Sequence, residues 1–156
     1  ETYCTKSNLE KIEKDWEGKS LFCLSNSNHS RGVAILFKNG INVDIIDHYN
    51  KEDGRAILIN MIMHDQIVTV VNVYCPNKDS DKVIFLEQIK EWIQINTAAM
   101  DNLIVAGDFN TCLMDDDRST KTHLKDRSRK TLKTLLLELD IEDMWPKYSK
   151  QSNKYT

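Results

Sequence analysis

With 156 residues, 40% of them hydrophobic and 29% charged, the chain has the balance of an ordinary soluble globular domain and the length to bury one core. Its formal net charge of -3 supplies no global pull toward nucleic acid or anionic lipid, so a polyanion would have to be met by a local basic patch or by bound metal ions. The four cysteines are scattered without a C-x-x-C pair, which predicts reduced intracellular thiols rather than structural zinc or secreted disulfides, and no stretch has the length of a membrane span or the design of a signal peptide.

The chain opens on Glu1 rather than Met, which reads as a piece of a longer polypeptide. Ser7-Asn8-Leu9-Glu10 has the pattern of a capping box, and Leu9, Ile12 and Trp16 behind it predict a short helix. "SLFCLS" (20–25) and "GVAILFK" (32–38) read as strands separated by the polar turn "NSNHSR", and "INVDII" (41–46) as a third, alternating strand. "RAILINMIM" (55–63) and "QIVTVVNVY" (66–74) are long, rich in branched residues and divided by His64-Asp65, which predicts a central antiparallel pair. After Pro76 the period changes: Phe85, Ile89, Trp92 and Ile93 form one face of a helix over 81–95. "NLIVA" (102–106) reads as a buried strand, and a last helix over 126–139 turns Leu132, Leu135, Leu136 and Leu139 inward. The order predicts a mixed α/β protein, a single domain over 1–156, with a largely antiparallel β part.

Chemistry concentrates at two strand ends. A strand stopping at Gly107 lets the backbone turn and brings Asp108 and Asn110 to the sheet rim, on one side if extended alternation persists. An ionised carboxylate can hold a hard cation or orient water, and an amide can donate to a phosphate oxygen without adding repulsive charge. Taken alone, "GDFN" is more often a plain Gly-Asp turn closed by Asn. "NVYCPN" (72–77) likewise ends a strand with Tyr74 and Asn77 around Pro76, donors for a phosphate or simply a core tyrosine at a turn. The basic stretch from Arg118 to Lys133 could follow a DNA backbone, but its plainer reading is a solvated helix face; Arg118 stands apart because it directly follows the acidic loop.

In chain order, Glu1-Thr2, "RGVAILF" (31–37), "NVYCPN", "GDFN", "DRS" (117–119) and Asp143, Trp145 with Tyr155-Thr156 resemble the signposts of the DNase I-like endonuclease/exonuclease/phosphatase superfamily. The "DRS" and "W…YT" elements look most like the endonuclease domain of LINE-type (non-LTR) retrotransposons. The resemblance implies an incomplete α/β (α+β) four-layer fold, a two-sheet β-sandwich flanked by helices. It implies Glu1 as a carboxylate for Mg²⁺ (or Mn²⁺), with Asp108 at the metal and on the attacking water. Tyr74 and Asn110 enter catalysis, and Asn77, Asn110, Arg118, Ser119 and Thr156 line the phosphate or substrate. DNA as partner, a downstream reverse transcriptase in the parent polyprotein, no membrane, and an intracellular, nuclear setting follow from the same likeness. Two alternatives stand beside it: a phosphatase or sphingomyelinase-like branch of the fold, and a catalytically dead remnant acting at most as a binding module. The family's upstream Asn, late Asp and "S-D-H" end are not among these 156 residues, and His29, His48, His64 and His123 match no catalytic position.

Overall fold

The branched, apolar run that dominates the middle of the chain closes on itself as a hairpin. In the computed structural model, which describes residues 2–7, 9–25, 31–114, 127–144 and 147, it forms β4 (Ala56–Met63) and β5 (Gln66–Tyr74). The pair runs antiparallel from Ala56↔Val73 to Met63↔Gln66, as predicted. Its turn places His64 (φ 51) and Asp65 (φ 61) in the left-handed region, the geometry of a tight two-residue hairpin loop whose twist matches the strands.

The other elements are α1 (Leu9–Lys14), β1 (Ser20–Cys23), β2 (Val33–Leu36), β3 (Asp44–Asn50), α2 (Asp79–Asn96), a 3-10 turn (Met100–Asn102), β6 (Leu103–Asp108) and α3 (Arg127–Glu138). This is the expected mixed α/β class, with two sheets and three helices among the described residues. The first two strands are shorter than the apolar runs suggest. The third is displaced from 41–46 to Asp44–Asn50, because Val43 turns into the core and a bulge between Ile45 and Asp47 breaks the alternation, leaving Ile46 48% exposed. The chain divides into two compact units, residues 1–74 with 93–108 and residues 75–92 with 109–156.

The first unit is a two-sheet sandwich. β1 and β2 pair antiparallel as one sheet; the other has the order β3-β4-β5-β6, antiparallel except for the parallel pair β5–β6. Alternation turns Ile57, Ile59 and Met61 of β4 and Val68 of β5 toward Cys23, Val33, Phe37 and Val43, and these eight buried residues form the core between the sheets. Full burial of each such side chain contributes about 1.5–3 kcal/mol. Asn72 donates to Ala34 O at 2.8 Å and ties the larger sheet to β2.

The opposite face of β4 is buried too, and there it carries an amide. Asn60, 1% exposed, donates to Asp47 Oδ1 (2.6 Å) and to Asn96 O (2.8 Å). Its Oδ1 accepts from Thr69 Oγ1 (2.7 Å) and from the Ala98 N–H (3.0 Å). One side chain thus holds β3, β5 and the end of α2, with every polar atom satisfied.

β2 lies over β4 and β5, whereas among the described residues β6 is the edge of its sheet: Ile104 is 51% exposed, and Ala106, Gly107 and Asp108 are exposed as well. The opposite edge, β3, is blunted by its bulge and by Asp44, Asp47 and His48; the stretch Leu103–Ala106 carries no such guard. The 156-residue chain is therefore expected to self-associate through β6. Sedimentation velocity should show concentration-dependent assembly that Ile104→Lys suppresses and Ile46→Lys does not, and a monodisperse wild-type monomer would contradict this.

In the second unit, α2 buries Phe85, Leu86 and Ile89, and α3 buries Ser128, Leu132 and Leu135, with Leu139 buried just beyond it. Leu136 is only half-buried, since it lies a quarter-turn off that stripe. The Ser128 N–H donates to Asp79 Oδ1 (3.3 Å), and its hydroxyl shares a hydrogen bond with Thr111 Oγ1 (3.1 Å).

Candidate active site

The parallel pair β5–β6 carries both predicted strand ends to the same rim. The register runs Thr69↔Leu103 to Tyr74↔Asp108, so the phenol and the carboxylate lie abreast on adjacent strands and, by alternation, on one face of the sheet. In open sheets the rim beyond the carboxyl ends of parallel strands is the usual place for a ligand. Asp108 is exposed there and Tyr74 half-buried.

The strand reaches this rim differently from the expectation of a stop at Gly107. β6 continues through Gly107 to Asp108. Gly107 has φ +131, and a Cβ on it would lie 2.0 Å from Val73 O and 2.7 Å from Val73 N. Glycine is required because the neighbouring backbone occupies the space a side chain would take, rather than to end the strand. The expected alternation also fails past Asp108: Asn110 is left-handed (φ 48).

Arg55 extends the row on the other side of Tyr74, its C=O accepting the Tyr74 N–H at 2.8 Å. Its guanidinium lies 5.2 Å from the Tyr74 ring centroid and donates to Tyr74 O (3.2 Å), while Asp53 holds its Nε at 3.9 Å and its backbone N–H at 3.2 Å. A cation over a phenol contributes about 0.5–1 kcal/mol at such a site and fixes the ring. Sequence reading missed Arg55; its only signal was a lone arginine at the start of an apolar strand.

The N-terminal segment is anchored in the same unit. The Thr2 and Tyr3 N–H groups donate to Gly32 O (2.7 Å) and Arg31 O (3.0 Å), and the Gly32 N–H donates to Gly54 O (2.9 Å). Glu1, Arg118, Ser119 and Thr156 lie outside the described residues, as do Trp145, Tyr155 and the basic stretch before Arg127. Among the described residues no three His, Cys, Asp or Glu side chains gather as a metal cluster. The four cysteines form no disulfide, and burial pushes the Cys4 and Cys23 thiols up from their ordinary range, which keeps them protonated and unreactive.

The remaining predicted residues belong to the second unit. Asn110 Nδ2 donates to Cys75 O at 2.8 Å, which ties the turn after β6 to the segment after β5. Lys82 Nζ donates to Asn110 O at 2.7 Å. Asn77 is exposed, two residues past the buried Cys75.

A family model described as "Endonuclease/Exonuclease/phosphatase family" matches residues 2–152. Among solved structures, D. rerio TDP2 complexed with single strand DNA product is similar at 15% identity and TM-score 0.54, over 95% of this chain and 55% of that one. The endonuclease domain of TRAS1, a telomere-specific non-LTR retrotransposon, matches at 19% identity and TM-score 0.50, over 77% and 52%. A beta hairpin deletion mutant of beta toxin from Staphylococcus aureus matches at 12% identity and TM-score 0.55, over 96% and 66%. At these identities the likeness concerns the fold, and the chain spans little more than half the length of the first two.

Proposed function

The chain belongs to the endonuclease/exonuclease/phosphatase family, and on that premise we propose that it is the DNA-nicking phosphodiesterase domain of a non-LTR retrotransposon protein. The observation that carries the reading is the register Tyr74↔Asp108 at the paired carboxyl ends of β5 and β6, with "GDFN" and "YCPN" as the strand exits. The specific lineage is supported by the "DRS" and "W…YT" elements and by the fold it shares with the TRAS1 endonuclease.

Phosphodiester hydrolysis needs an oriented water, donors at the phosphoryl oxygens and relief of charge on the leaving oxygen. Asp108 is the described carboxylate exposed at the rim, suited to accept a proton from water. Tyr74, its ring fixed by Arg55, offers a phenol O–H to a phosphoryl oxygen. The Asn110 amide, held at Cys75 O, is assigned to the phosphate, where an amide donor serves an oxygen without adding repulsive charge. A hard oxygen donor such as Asp108, joined by Glu1, suits Mg²⁺ (or Mn²⁺), an ion that takes one or two carboxylates and otherwise keeps water; it would supply charge neutralisation at the phosphate. Asn77, Arg118, Ser119 and Thr156 are assigned to the substrate side. DNA as partner, a reverse transcriptase on the same polypeptide and a nuclear site of action belong to the same proposal.

The test is substrate choice. The chain extended to its full reading frame, given Mg²⁺, should convert supercoiled plasmid to the nicked form and leave inositol phosphates and sphingomyelin vesicles intact. Cleavage of those small or lipid phosphates in place of plasmid would move it to the phosphatase or sphingomyelinase-like branch. No turnover of any of them would leave a binding remnant.

A further inference from the structure

Lys82 is placed against local preference. It is the fourth residue of α2, in the turn where the helix dipole disfavours a cation, and it is only 9% exposed. Among the described residues its ammonium has one acceptor beyond its own helix, the carbonyl of Asn110 at 2.7 Å, and no carboxylate pairs with it. That carbonyl belongs to a residue held at φ 48, outside the conformation that an extended strand exit would give. The turn is gripped twice: the Asn110 side chain reaches Cys75 O at 2.8 Å, and Lys82 holds the Asn110 backbone.

From this geometry we infer that Lys82 is a positioning residue, whose charge-assisted hydrogen bond to Asn110 O fixes the left-handed turn and so aims the Asn110 amide. The inference rests on the phosphodiesterase reading and adds to it a group that touches no substrate. A hydrogen bond from an ammonium to a carbonyl is shorter and stronger than a neutral one. It holds the turn without occupying the amide itself. Removing it frees the turn to return to ordinary strand geometry, and small misplacements of a group that contacts the reacting phosphate are costly in rate.

Lys82→Met keeps the aliphatic stem and removes the ammonium. In the full reading frame it should lower kcat for plasmid nicking by about tenfold to a hundredfold with KM within about twofold. Lys78→Met, an exposed lysine near the same helix start, should change neither. Added to Asn110→Ala, Lys82→Met should lower kcat no further, because both act through one amide. Independent, additive losses would overturn the inference, as would an unchanged kcat in Lys82→Met. Should Lys82→Met fail to fold, the wild-type full reading frame decides. Its Lys82 ammonium should give a slowly exchanging ¹⁵N resonance coupled through the hydrogen bond to the Asn110 carbonyl, and its absence overturns the clamp. A wild type that hydrolyses nothing overturns the phosphodiesterase reading and the positioning role with it, even where that ammonium coupling is seen.

Discussion

Asp108→Ala is expected to abolish plasmid nicking by the full reading frame, while Cys112→Ala, in the loop that follows, leaves it unchanged. A positioned acid–base group typically contributes about 10² to 10⁴ in rate, and Asp108 is assigned the water as well as the metal, so the loss should sit at or above the top of that range. Because Asp108 is exposed at the end of β6, its truncation should leave the melting temperature close to that of wild type. A rate loss of this size with unchanged stability separates chemistry from folding. In the same assay the 156 residues alone, which do not contain the late Asp or the "S-D-H" pattern, should leave plasmid almost uncut. Nicking that survives Asp108→Ala would remove the residue from the site, and brisk Mg²⁺-dependent nicking by the 156-residue chain would show that those late groups are dispensable.

Asn60→Asp should be the most damaging single substitution away from the rim. The change is nearly isosteric, yet it removes the donors to Asp47 Oδ1 and Asn96 O and sets a second carboxylate where Asp47 approaches to 2.6 Å. A buried polar group left without its partners costs about 1–3 kcal/mol and a charged one more, and position 60 is itself buried, so a loss of at least about 3 kcal/mol is expected in urea denaturation. That is a large part of the roughly 5–15 kcal/mol that stabilises a domain. The same replacement at Asn42, exposed before β3, should stay within about 0.5 kcal/mol. Equal midpoints for the two variants would mean that the Asn60 network contributes nothing to the fold.

The hairpin β4–β5, the helix α2 and the strand that delivers Asp108 were readable because each is specified locally, by branched residues in a long run or by a 3.6-residue period. "NVYCPN" and "GDFN" were readable as two strand ends, and likeness to a family assigned residues of both to one phosphate, but the parallel pairing that sets them side by side was not read. What could not be read depends on neighbours distant in sequence. Gly107 looks like a strand terminator in one dimension, whereas in three it is a close approach to Val73. Extended alternation at Asn110 was the natural default, and the contacts with Cys75 O and Lys82 that replace it join positions 35 and 28 residues apart. Leu86 belongs to the buried face of α2 without standing out in its pattern, and the bulge that shifts β3 has no local signature.

The two neighbours of β5 also differ in how soon each can be made. β4 and β5 are joined by a two-residue turn, so a chain that has reached Tyr74 can zip that hairpin within microseconds. The parallel partner must wait until everything from Cys75 to Asn102, including α2, has been synthesised and folded back as a crossover. Tyr74 and its Arg55 support are therefore assembled early and from nearby chain, whereas Asp108 arrives last and closes a much longer loop. Until it does, the side of β5 that later receives β6 is a row of unsatisfied N–H and C=O groups on a branched, apolar strand, the kind of template that captures other chains. Slowing the crossover, by weakening α2, should raise the yield of aggregates at the expense of active protein without altering the activity of the molecules that fold.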